Sequence, residues 1–171
     1  LISAAFILPI LVLLYFLTAE QNIRIDFAQK EIYGNQYLRP LKKLLELAPA
    51  YSFDNKYNNT SGSSSELKSK IEKQFTVLDE TDKELTGDLN TTIHLDQLKS
   101  KWELVKGNPA DIQLHKDFVN EIRQFISYVG DVSNLILDPD LDSYYIMDAT
   151  LLKLPENMSL IYKIMDYGNG L

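Results

Sequence analysis

The first nineteen residues, LISAAFILPILVLLYFLTA, carry no charge, and only Ser3, Pro9 and Thr18 among them are not apolar. A helix needs about 20 such residues to cross a bilayer, whereas the core of a signal peptide has roughly 7 to 15. The run ends on bulky Tyr15, Phe16 and Leu17, and its one small-x-small triplet, Ser3-Ala4-Ala5, stands at its start, away from any useful cleavage position. An uncleaved transmembrane helix over residues 1–19, in contact with membrane lipid, is therefore expected. Pro9 is compatible with it, because proline is commoner in membrane helices than in soluble ones. Orientation cannot be read from flanking charge, since a basic cluster on the cytoplasmic side would precede Leu1. The chain reads as a fragment with material missing at both ends.

All 41 charged residues lie in residues 20–171, whose composition is that of an ordinary water-soluble domain. This stretch is long enough for one domain with a real core. A net charge of −7 argues against a nucleic-acid partner, which calls for a basic face. The absence of cysteine excludes disulfide frameworks, thiol catalysis and cysteine-containing zinc sites.

Apolar positions from Ile23 to Ala48 fall at helical spacing, and no turn signal separates them from the leader, so one long helix to about Pro49 is expected, with Gly34 and Pro40 marking close packing and a kink. Residues 50–65, rich in Asn, Ser and Gly, read as a flexible loop, with Ser65 as a possible cap. A second amphipathic stretch carries Leu67, Ile71, Phe75, Leu78, Leu85 and Leu89. After Asn90-Thr91-Thr92 it resumes with Ile93, Leu95, Leu98, Trp102 and Val105. Asn108-Pro109 has the pattern of a capping side chain followed by a proline at the first helical position, opening a third helix that carries Ile112, Phe118, Val119, Ile122, Phe125, Ile126, Val129 and Val132 and ends around Leu137. Asp138-Pro139 repeats the pattern and opens a fourth, broken or kinked at Pro155. The predicted fold is all-α: an antiparallel bundle of four long helices over residues 20–171, the first continuous with the transmembrane helix.

Little catalytic chemistry is on view. His94 and His115, the only histidines, lie in different segments without a nucleophile pattern, and no phosphate loop, GxSxG or HExxH occurs, so no cofactor, metal or catalytic residue is assigned. Asp82 falls in the apolar seam of the second stretch. A buried carboxylate there needs a partner. The plainer reading is that the seam frays towards Gly87 and Asp82 faces water. Asp138, Asp140 and Asp142 have calcium-loop spacing, but Ser143 and Ala149 stand where such a loop needs Gly and Glu. Capping and the helix dipole account for these three aspartates, though not for Asp148, which lies near the apolar stripe beside Tyr144 and Tyr145. Asp148 is expected to pair with a cation of the first helix, where Arg39 and Lys43 lie one turn apart. Arg39, Tyr144, Tyr145 and Asp148 are thus the candidate ligand-binding residues, and Asn108 and Asp138 the candidate caps.

A transmembrane helix running into Glu31-Ile32-Tyr33-Gly34 and Tyr37-Leu38-Arg39-Pro40-Leu41, with Asn134 to Asp148 (NLILDPDLDSYYIMD) and Leu154-Pro155 further on, resembles the extracytoplasmic sensor region of bacterial methyl-accepting chemotaxis proteins and membrane-bound sensor histidine kinases. The resemblance implies a periplasmic helical bundle held in the inner membrane and working as a homodimer. It would pass the binding of an unknown small ligand or periplasmic protein to a cytoplasmic output module. A structural or partner-binding bundle without a small ligand is the competing expectation. A polar cavity reached by Arg39, Tyr144, Tyr145 or Asp148 would favour the sensor, and a dry packed core the spacer.

Overall fold

The computed structural model describes residues 2–58 and 61–136 and, beyond them, only Lys153, Asn157, Leu160 and Ile164. The fourth predicted helix, with Asp138, Tyr144, Tyr145 and Asp148, lies outside the described residues. Within them the protein is all-helical: α1 (Ile2–Phe53), a π-helical turn (Asp54–Asn58), α2 (Ser61–Leu89), α3 (Thr92–Gly107) and α4 (Ile112–Val132).

The long helix α1 runs without a break through Pro9, Pro40 and Pro49. From Ile7 to Leu17 its large apolar side chains are all exposed, and its length and composition suffice to cross a membrane. Beyond Tyr33 the exposure changes abruptly. Tyr37, Leu38, Leu41, Leu44, Leu45, Leu47, Ala48 and Tyr51 are buried, an arc too wide for one partner because it faces α2 on one side and α4 on the other. Gly34 is the closest approach: a Cβ there would lie 2.2 Å from Ser133 Oγ and 2.4 Å from Ser133 Cβ. Gly34 thus marks tight packing, as its place in the pattern predicts.

The stretch 50–65 corrects the expected loop. Helix α1 continues to Phe53, and α2 begins at Ser61, four residues before the predicted cap Ser65. Tertiary contacts override the turn-forming composition. Tyr51 is buried against Trp102 and His115, while Asn55 donates to Tyr51 O (2.8 Å) and accepts from Ser64 Oγ (2.9 Å).

The second predicted stretch is also corrected, into two helices that double back at Asn90. Lys99 pairs with Asp79 and Lys106 with Glu72, so residues further from the turn on one side meet residues further from it on the other. Ile71, Phe75, Leu78, Asp82, Leu85 and Leu89 of α2 repeat at alternating steps of four and three, as do Thr91, Leu95, Leu98, Trp102 and Val105 into α3. Asn90 has φ 52°, the left-handed conformation that closes helix C-termini and that Asn tolerates better than most residues.

Asn108 does not cap α4. It closes α3, its N–H donating to Leu104 O (3.1 Å), and Asp111 caps α4 by accepting from Gln113 N and Leu114 N. The reason lies in the turn after Asn108, where Asp111 N–H donates to Asn108 O (3.0 Å) and postpones the helix by three residues. The amphipathic stripe of α4 matches the sequence pattern, with Phe118, Ile122, Phe125, Ile126 and Val129 buried. Its end comes earlier than Leu137. The chain leaves the helix after Val132 through Asn134 at φ 64°, and Ile136 N–H returns to Gly130 O (3.2 Å).

Candidate functional site

The Asp82 position, expected to face water, is buried, and three hydroxyls surround it. Tyr37 Oη of α1 donates to Asp82 Oδ1. Thr91 Oγ1 lies 2.8 Å from the same oxygen and 2.6 Å from Tyr37 Oη, and Thr92 Oγ1 donates to Oδ2 at 2.8 Å. The single Thr91 proton goes to one of its two neighbours, and Tyr37 supplies the other bond to the carboxylate. Tyr37 and Thr91 are fully buried, and Asp82 is 8% exposed.

This arrangement follows from the local chain. Tyr37 lies on the α1 face that also carries Leu41 and Leu44. Asp82 occupies a seam position of α2 two turns before its end. Thr91 occupies the matching seam position four residues before Leu95. Its hydroxyl is turned to Asp82 and makes no cap bond to its own helix, although Thr91 stands at the N-cap of α3. The reversal between α2 and α3 is held from outside by α4, where Tyr128 Oη lies 3.2 Å from both Leu89 O and Asn90 O and the His94 ring packs on Tyr128 with centroids 3.9 Å apart.

Burial pushes the Tyr37 phenol well above the ordinary tyrosine range, reinforced by the hydrogen bond to the Asp82 carboxylate and partly offset by Thr91. The phenol therefore stays protonated and remains a donor. The cluster is buried at Tyr37, Thr91 and Asp82 and reaches the surface at Thr92. It holds a charge inside the protein by distributing it over neutral hydroxyls from α1, the α2–α3 turn and α3.

Of the predicted ligand-binding residues, Arg39 lies on the exposed face of α1, directed away from the buried arc that carries Leu38 and Leu41. Its predicted neighbours Tyr144, Tyr145 and Asp148 lie outside the described residues. The buried apolar residues of the described region form one core. An open groove of about 580 Å³ lies on the outer side of α3 and α4, lined by Ile93, Lys101 and Glu121 among others. Among the described residues no group of His, Asp or Glu is placed to hold a metal ion.

At the other end of the bundle, Tyr51, Phe75, Trp102, His115 and Phe118 form an aromatic cluster with ring centroids 5.3 to 6.3 Å apart. His115 Nε2 lies 2.9 Å from Pro109 O, and burial pushes the imidazole below its usual range. Among the described residues, its Nδ1 and Trp102 Nε1 have no hydrogen-bond partner.

Sequence inspection marks Asp82 as anomalous and places Tyr37 on an apolar face, but it does not join them. The signal that does is Thr91, a second polar residue in seam register, separated from Asp82 by the Asn90 reversal. Comparison of the chain with protein-family models, curated proteins and solved structures finds no match.

Proposed function

We propose that the chain is the extracytoplasmic input module of a bacterial membrane receptor, either a methyl-accepting chemotaxis protein or a sensor histidine kinase. In this reading residues 1–19 cross the inner membrane, residues 20–171 form an antiparallel helical bundle in the periplasm, and the working unit is a homodimer. The observation that carries it is the continuity of α1, which leaves the apolar run, crosses an unpacked stretch and enters the core as a single helix. A helix cannot shorten along its axis without breaking hydrogen bonds, so a displacement at the bundle must reach the bilayer. In this reading residues 1–171 contribute binding and displacement, not catalysis.

The test combines two measurements on the full chain in lipid nanodiscs. Thermal-shift screening against amino acids, organic acids and divalent ions should identify a stabilising compound. Disulfide cross-linking of single cysteines placed along residues 20–30 should then change with that compound. Stabilisation without any change in cross-linking would reject the receptor reading.

A second reading, a membrane-anchored spacer or partner-binding bundle, is favoured by one observation. The described core is largely apolar and packed, and the buried Asp82 carboxylate in it is satisfied by the protein's own hydroxyls. If no compound in the screen binds, the spacer reading takes precedence.

A further inference from the structure

We propose that Gly34 and the Tyr37–Asp82–Thr91 cluster form a two-sided register clamp, which fixes α1 lengthwise against α4 and against the α2–α3 turn. The proposal rests on the reading of α1 as the conductor of displacement and says how that conductor is held.

The two contacts lie within one turn of each other on α1 but engage different partners. Gly34 meets Ser133 just beyond α4, closely enough that any Cβ would overlap it. Ser133 cannot easily turn aside, because it is fully buried and its hydroxyl donates to Val129 O at 2.6 Å. Tyr37 engages Asp82 of α2 and Thr91 of the turn.

Sliding α1 by one turn shows why both sides are needed. In one direction Tyr33 would replace Tyr37, presenting Asp82 with another phenol at helical spacing, so the polar side alone would tolerate the move. That same slide brings Lys30 to the place of Gly34, against Ser133. In the opposite direction Leu41 would face Asp82 without a donor, and Leu38 would meet Ser133. The glycine contact thus removes the one slide that the tyrosine pair would allow. The polar cluster ties in the α2–α3 hairpin, which the glycine does not touch. Consequently, displacement within the bundle reaches the membrane helix as movement of α1, the α2–α3 turn and the end of α4 together, and not as sliding of α1 between its neighbours.

The native chain has no cysteine, so pairs of nitroxide labels can be introduced without competing sites. In the full chain in nanodiscs, one pair joins exposed Gln36 of α1 to exposed Lys83 of α2, and another joins Gln36 to exposed Asp131 of α4. Pulsed electron-electron distance measurements should give one narrow population for each pair. The double variant Tyr37→Phe/Asp82→Leu, which substitutes apolar contact for the cluster, should let α1 slide by one helical turn, about 5.4 Å along its axis, adding a second Gln36–Lys83 population at a longer distance and leaving Gln36–Asp131 narrow. Gly34→Ala should instead broaden Gln36–Asp131. If the double variant does not fold, Thr91→Val should broaden Gln36–Lys83 alone. An unchanged single Gln36–Lys83 distance in the folded variants would overturn the proposal, as would two populations one turn apart in the native chain. These distances do not depend on whether a stimulus exists, so failure of the receptor reading and failure of the clamp are separable.

Discussion

The two ends of the helical region are held together by different chemistry. Nearest the apolar run, a glycine contact and a carboxylate shared by three hydroxyls join the helices. At the far end five aromatic rings fill the same role, and two of their nitrogens have no partner among the described residues. Directional bonds accept one register, whereas ring contacts worth about 0.5–1.5 kcal/mol each beyond their area tolerate small shifts. The near end is therefore specified by geometry and the far end by buried area.

The strongest way to break this contrast is to replace glycine at each end. Gly34→Ala is expected to destabilise the protein by about 3 kcal/mol or more, because α1 and α4 must separate to admit the Cβ. Gly107→Ala, where nothing lies within 4 Å, should stay within about 0.5 kcal/mol. Thermal unfolding of both in nanodiscs, followed by circular dichroism, checks the difference, and equal effects would remove the distinction.

Next in size is the polar cluster. Asp82→Ala leaves the buried hydroxyls of Tyr37 and Thr91 only each other to bond, with one proton unmatched, and should cost about 2–3 kcal/mol. At the far end Trp102→Phe removes an unpartnered N–H together with some volume, and it should cost less, under about 1.5 kcal/mol. Urea midpoints at constant slope give the comparison.

The two ends should also separate by pH. Burial holds the folded His115 below its usual range, so the unfolded chain takes up the proton first. Stability attributable to His115 is then present above about pH 6.5 and lost as pH falls below it, until the folded imidazole also protonates. Tyr37 is raised, so the unfolded phenol ionises first, and stability is lost as pH rises above about 10. His115→Gln should flatten the acid side of the stability profile and Tyr37→Phe the alkaline side. A swap of these effects would contradict the assignment. A small change is also expected away from both ends. Lys99→Ala removes a half-exposed pair with Asp79 and should cost under about 1 kcal/mol, less still at high salt.

Periodicity made much of this fold legible. The apolar stripes of α1 and α4 were readable because their buried residues recur every three or four positions without competing signals. What escaped were positions where tertiary contact outweighs local composition. Asn90 and Asn108 look alike as breaks, yet one reverses the chain between α2 and α3 while the other closes α3 ahead of a separate cap at Asp111. Residues 50–65 resemble a loop because of their Asn and Ser, but Tyr51 draws the helix onward by packing on Trp102. Asp82 shows the limit most plainly: its place in the seam is visible, but its partners come from residues 45 positions earlier and nine positions later.

The central claim is that α1 is one mechanical element from its apolar run into the packed core. Amide hydrogen exchange across residues 20–33 of the chain in nanodiscs tests it most directly, since this stretch has exposed Ile23, Ile25 and Ile32 and leads into the packed face that begins at Gly34. Anchored at both ends, these amides should exchange slowly and at rates continuous with those on either side. Fast exchange confined to residues 20–33 would mean that the helix breaks between the apolar run and the packed core, and it would contradict the account.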